Sequence, residues 1–250
     1  MSRGRNVRTN VAAGLGATAL ALGLVLGAAT GSQAVTADAS TSENVTGENV
    51  SGVPAPGSPA SEWKAWSARE RADAEATDWK ADAAARGCVL KDVTISEEVD
   101  AAYNRAMGAP ADLVTHRVDL LENCGDAPAA TKAAGAAGAT TLSLPSGNQC
   151  ATTSGPGTMC LTTSSGRVYA SWQYRGSGSV SGFMRVYRVS SGADGCPTGT
   201  TWLTGGSSTW DSGDTRTISK TRTTAGGYSA HIWKKVTLGH TDWGGACATL

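Results

Sequence analysis

Imidazoles are scarce in this chain: among 250 residues there are only His116, His231 and His240. Proton transfer near neutral pH must therefore use one of them or a perturbed carboxylate. His231, with an aspartate (Asp211, Asp214 or Asp242) and one of the many serines, has the composition of a nucleophilic triad. Serine contexts single out no nucleophile, because neither a Gly-x-Ser-x-Gly elbow nor a Gly-Asp-Ser-Gly segment is present. Glycoside cleavage needs two flanking acids. From Leu144 to Leu250 there is no glutamate, and Asp211 and Asp214 lie in a turn-like segment. His240-Thr241-Asp242 with His231 supplies metal donors without a supporting spacing. Gly155-Pro156-Gly157 lacks the Lys-Ser/Thr that completes a phosphate loop. The reading is no catalytic residue, no metal and no cofactor, with a small hydrolase built on His231 as the least favoured alternative.

Recognition chemistry is better represented. Three segments alternate in polarity, and one face of each is basic and aromatic: Arg167, Tyr169, Gln173 and Arg175; Phe183, Arg185 and Tyr187; Ser229, His231, Trp233 and Lys235. Aromatic rings stack on sugars, bases or apolar side chains, while Arg and Lys attract phosphate or carboxylate. The candidate ligand-binding residues are Arg167, Tyr169, Arg175, Arg185, Tyr187, His231, Trp233 and Lys235. They fit an anionic cell-surface polymer, a carbohydrate or a secreted protein, with nucleic acid the weakest fit. The same residue types also suit an ordinary solvated sheet face.

The elements that must carry these residues are strands. Arg167 to Arg175, Val180 to Val189 and Tyr228 to Thr237 are the long candidates; Thr201 to Leu203, Ser207 to Trp210 and Thr215 to Lys220 are shorter. Such spacing over residues 144–250 predicts an all-β antiparallel sandwich or small barrel. Large aliphatic residues are few there, so rings and disulfides must brace it.

Upstream the character differs. Ser61 to Pro128 carries eight Lys/Arg against fourteen Asp/Glu, and Leu144 to Leu250 nine against four. A sign change along a chain points to two units. Ser58 and Pro59 read as a helix start and Gly87 as its stop, with Ala65, Ala68, Ala72, Ala76, Trp79 and Ala83 on one face. Trp63 and Trp66 fall on the other side. Thr94-x-x-Glu97 reads as a capping box before a short helix ending at Gly108. Leu113 to Leu121 fits either a strand or a helix. The expected organisation is two-domain. A disordered tail (38–57) leads into a small acidic α or α+β domain (58–124), followed by an Ala/Gly/Pro linker (125–143) and the basic β-sandwich (144–250).

Arg3, Arg5 and Arg8 precede an apolar run from Val11 to Ala29, and small-x-small sites follow, so residues 1–37 read as a cleaved signal peptide. Six cysteines in an exported chain imply disulfides, and sequence neighbourhood favours Cys88–Cys124, Cys150–Cys160 and Cys196–Cys247. The first pair would force the two segments that it joins to lie antiparallel. The signal, the Ala/Gly/Thr-rich composition and the sparse Phe and Ile resemble exported proteins of high-GC Gram-positive bacteria. The expectation is a secreted, non-enzymatic binding module. The main alternative is a secreted inhibitor or toxin-assembly subunit that holds a protein partner through the acidic domain or the tail.

Overall fold

The computed structural model describes residues 52–125 and 143–250. The signal segment 1–37, most of the tail 38–57 and nearly all of the linker 125–143 lie outside the described residues. The described residues form three helices: α1 (Ala60–Ala76), α2 (Trp79–Ala85) and α3 (Ala101–Ala106). The strands are β1 (Cys88–Glu98), β2 (Thr115–Cys124), β3 (Gln149–Thr152), β4 (Gly157–Ser164), β5 (Arg167–Tyr174) and β6 (Ser179–Val189). They continue with β7 (Thr200–Thr204), β8 (Ser208–Asp211), β9 (Thr215–Thr221), β10 (Gly227–Val236) and β11 (Gly239–Thr249).

These strands form two sheets whose ladders are all antiparallel. One has the order β1-β2-β9-β5-β4-β3; the other has β11-β10-β6-β7, with β8 also paired to β6. Alternation sets their inner faces. Met159, Leu161, Val168, Ala170, Trp172 and Ile218 from the first sheet meet Val180, Met184, Val186, Tyr228, Ala230 and Ile232 from the second in one core. Rings supply much of its bulk: Trp172 meets Trp210 edge-on at 5.3 Å, and Trp202 meets Tyr228 at 5.2 Å. The three disulfides pair as the sequence neighbourhood suggests.

The acidic segment is not a separate body. Its strand β2 pairs with β9, from Val118 opposite Ser219 to Glu122 opposite Thr215. The described residues on both sides of that pairing fall in one compact unit. The change of charge sign therefore marks two parts of one sheet, not a domain boundary. Leu113 to Leu121 resolves largely as strand, since Val118 and Leu120 face the helices while β1 and β9 satisfy its backbone on both sides.

The helical layer also differs from the sequence reading. In α1 the buried side chains are Trp63, Trp66, Ser67 and Ala74, while Ala65, Ala68, Ala72 and Ala76 are exposed. A tryptophan buries several times the area of an alanine methyl, so the two rings decide which side turns inward. They pack with Ala109, Leu113 and Val53. Val53 and Gly57, expected in the tail, are thus ordered; the Gly57 N–H donates to the Gly108 carbonyl. The helix breaks before Gly87, because the Asp78 carboxylate caps α2 through the Lys80 and Ala81 N–H groups. No capping box forms at Thr94, as β1 continues through it; Asp100 caps α3 instead. From α3 the Tyr103 ring enters the sandwich core and its hydroxyl meets Thr223 Oγ1 at 3.0 Å.

Candidate functional site

The three basic-aromatic strand faces do not lie together. β5 belongs to the six-stranded sheet, whereas β6 and β10 are neighbours in the five-stranded one. The β5 face is covered by α1 and α2. Arg167 donates through Nε to Ser219 Oγ at 2.9 Å and lies 5.5 Å from the Trp79 ring. Tyr169 is 1% exposed, under the Arg86 guanidinium at 5.1 Å, and its hydroxyl donates to Asp82 Oδ1. Arg86 in turn pairs with Asp82 at 2.9 Å and with the fully buried Glu122 at 2.7 Å, and Thr217 Oγ1 donates to Glu122 at 2.6 Å. Desolvation lowers the Arg167 pKa below the usual guanidinium value and pushes the Tyr169 hydroxyl up to about 12. Arg167 and Tyr169 are therefore interior residues, contrary to their assignment as ligand contacts. Arg175 is exposed at the end of β5 and donates to Gln173 Oε1 at 2.9 Å. Gln173 is itself buried and donates to the Cys124 carbonyl.

The outer face of the five-stranded sheet holds the remaining residues in register: Tyr187 opposite Ser229, Arg185 opposite His231, and Phe183 opposite Trp233. The Phe183 and Trp233 rings are nearly parallel, 13° apart with centroids at 6.4 Å. His240 sets its edge on Phe183 at 4.8 Å. Arg185 is held between rings, 5.0 Å from Phe183 and 6.0 Å from Tyr187, with Nε donating to Thr204 Oγ1 at 3.2 Å. Lys235 is opposite His240 next to the hairpin turn, and both are exposed. Leu238 in that turn is 95% exposed. Phe183, read on this strand face but not among the candidate contacts, and His240, absent from the face reading, both belong here.

Deeper in the same face a hydrogen-bonded chain runs from Ser229 through His231 to Asp242. Ser229 Oγ lies 2.9 Å from His231 Nε2, and His231 Nδ1 lies 2.8 Å from Asp242 Oδ2. The other carboxylate oxygen accepts the Gly244 N–H at 2.7 Å. The Asp242 carboxylate can only accept, so Nδ1 is the ring atom that carries a proton at this contact. Nε2 is then left to accept from the serine hydroxyl. A bulge in β11 creates the contact: Trp233 faces Asp242 while His231 faces Gly245. Gly244 has φ of +79°, and a Cβ at Gly245 would collide with the Ala230 carbonyl oxygen. Ser229 is 0%, His231 4% and Tyr187 4% exposed, with the Tyr187 ring edge-on to His231 at 5.6 Å, so His231 and Tyr187 are interior residues, contrary to their assignment as ligand contacts. Two signals of this chain were readable. Ser229 and His231 are two apart on one strand, and Gly244-Gly245 follows Asp242 across the hairpin.

Among the described residues, one group of donors is close enough to hold a metal: Cys88, Glu122 and Cys124. Both cysteines are in a disulfide and Glu122 is bonded to Arg86 and Thr217, so the group is structural. No helix among the described residues is long and apolar enough to cross a membrane. Compared with known proteins, the chain matches no family model, no curated protein and no solved structure.

Proposed function

We propose that this protein is an exported binding module. Its ligand face is the outer side of the five-stranded sheet, around Phe183, Arg185, Trp233, Lys235 and His240. The observation that carries this reading is Arg185 held between two rings beside the parallel Phe183–Trp233 pair. A guanidinium fixed in this way meets a carboxylate or phosphate at low entropic cost, while the rings take the apolar face of a sugar. The ligand class that fits is an anionic glycan or surface polymer. Three disulfides among the described residues and the Arg3, Arg5, Arg8 leader support an oxidising, extracellular setting. The helical segment spends its apolar face on its own sheet, so it lends no weight to a partner-holding subunit.

The test is binding of the secreted protein to acidic and neutral polysaccharides. Arg185→Glu with Trp233→Ala is expected to weaken binding to the acidic polymer by about 30-fold or more, the scale of a hot spot. Raising salt from ~0.1 M to ~1 M shortens the screening length from ~10 Å to ~3 Å and isolates the stacking part. Unchanged binding of the double variant to every class of polymer would remove this face as the site.

A further inference from the structure

The geometry points to a second activity in the same sheet: Ser229, His231 and Asp242 form a nucleophile relay that a disulfide-tied strap holds shut. The inference is independent of what binds at Phe183 and Trp233. A buried Ser–His pair needs only one hydrogen bond to be satisfied. Here the imidazole also has a carboxylate on Nδ1, and that carboxylate is oriented by a backbone N–H. This is the arrangement in which a histidine accepts a serine proton and the resulting imidazolium is stabilised.

Access is what the folded protein withholds. The chain leaves β6 at Val189 and returns in β7 at Thr200, on the side of β6 away from β11. Within that connection Cys196 is bonded to Cys247 on β11. Reaching Cys247 takes the strap across the end of β10. Cys247 is the residue opposite Ser229. Ser229 therefore lies between Tyr187 and the disulfide, fully covered. Beyond the disulfide is a groove of about 460 Å³, lined by Leu144, Gln149, Ala151, Cys196 and Cys247. Cys196 and Cys247 wall that groove and Cys247 is opposite Ser229, so breaking the disulfide is the opening that would bring an acyl substrate in the groove toward Ser229.

The step has two parts. A thiol reductant converts Cys196–Cys247 to two thiols and is itself oxidised to a disulfide. Ser229 Oγ then attacks an ester carbonyl. The Oγ–C bond forms as His231 Nε2 takes the hydroxyl proton; the C–O bond to the alcohol breaks as that proton passes to the leaving oxygen. Water then gives a proton to the same Nε2 as its oxygen bonds the acyl carbon; the C–Oγ bond breaks as that proton passes to Ser229 Oγ, releasing the acid.

A fluorophosphonate probe, read by peptide mass spectrometry, tests this on the full secreted chain. The oxidised protein is expected to stay unlabelled. Cys196→Ala with Cys247→Ala is expected to label at Ser229, and adding His231→Ala should slow that labelling by about 100-fold or more. Should the double cysteine variant not fold, mild reduction of the wild-type protein replaces it, with alkylation of Cys196 and Cys247 and labelling of Ser229 followed together. Labelling that rises with alkylation of that pair supports the relay. An opened, folded protein with no label at Ser229, or with equal labelling after His231→Ala, overturns it and leaves a structural hydrogen-bond chain.

Discussion

The two sheets have outer faces of similar chemistry and opposite fates. On β5, Arg167 and Tyr169 are two residues apart; on β6, Arg185 and Tyr187 are too. The first pair lies beneath α1 and α2, with Trp79 and Arg86 stacked on it. In the second pair Tyr187 is buried against His231, but Arg185 is only half-buried among rings and no helix among the described residues packs on it. Residue type did not decide between them. What decided was a cover with complementary partners: Glu122 and Asp82 to bind Arg86, and Ala74, Trp79, Val118 and Leu120 to pack on Tyr169. A basic-aromatic strand face thus serves as an interior seam or as a partly exposed platform.

The largest expected effect lies on the covered side. Glu122→Ala removes the buried carboxylate that Arg86 and Thr217 share, leaving Arg86 with Asp82 and Thr217 with Ser171, and we expect a loss of about 2–3 kcal/mol in denaturant unfolding. A loss near zero would mean that the helical layer is not anchored there. A smaller effect concerns Lys220, on the inner face of that same sheet, with Nζ 4.2 Å from the Tyr103 ring. Burial lowers its pKa from 10.5 to about 8. Between these values the unfolded chain binds the proton and the folded one does not, so stability rises with pH across this window. The gain from pH 8 to pH 10 is expected to be roughly 2 kcal/mol, and Lys220→Met should abolish it. Above pH 10 the sign reverses, because Tyr103 and Tyr169 are pushed up to about 12 and keep protons that the unfolded chain releases. The smallest effect is on the uncovered side, where Arg185→Ala should change stability by no more than about 0.5 kcal/mol. A loss above 2 kcal/mol would show that this face too is structural.

The sequence made the strand-rich part legible because its signals are local. Alternation from Arg167 to Arg175 and from Tyr228 to Thr237 puts Val168, Ala170, Trp172, Tyr174, Tyr228, Ala230 and Ile232 on the core side, where they lie, although Val236 in the same line is exposed, and cysteine neighbourhood matched all three bridges. What it hid was long-range. Nothing local to Val118 announces that it will sit beside Ser219, a hundred residues later, so a change of charge sign read as a domain boundary. Likewise Ala65 and Ala72 satisfied a helical period, but the area of Trp63 and Trp66 overrode it. At the candidate site, Trp233, Arg185 and Lys235 were visible as face residues. Asp242 joins His231 only because a bulge shifts the register of β11, which a period of two cannot foresee.

The comparison is tested most directly by a matched pair, Arg167→Glu and Arg185→Glu, each measured for thermal stability and for binding to an acidic polysaccharide. The account predicts a crossed result. Arg167→Glu lowers the melting temperature and, while folded, binds as the wild type does; Arg185→Glu keeps its melting temperature and loses binding. The contradicting result is Arg185→Glu with full binding, or both variants losing binding and stability together.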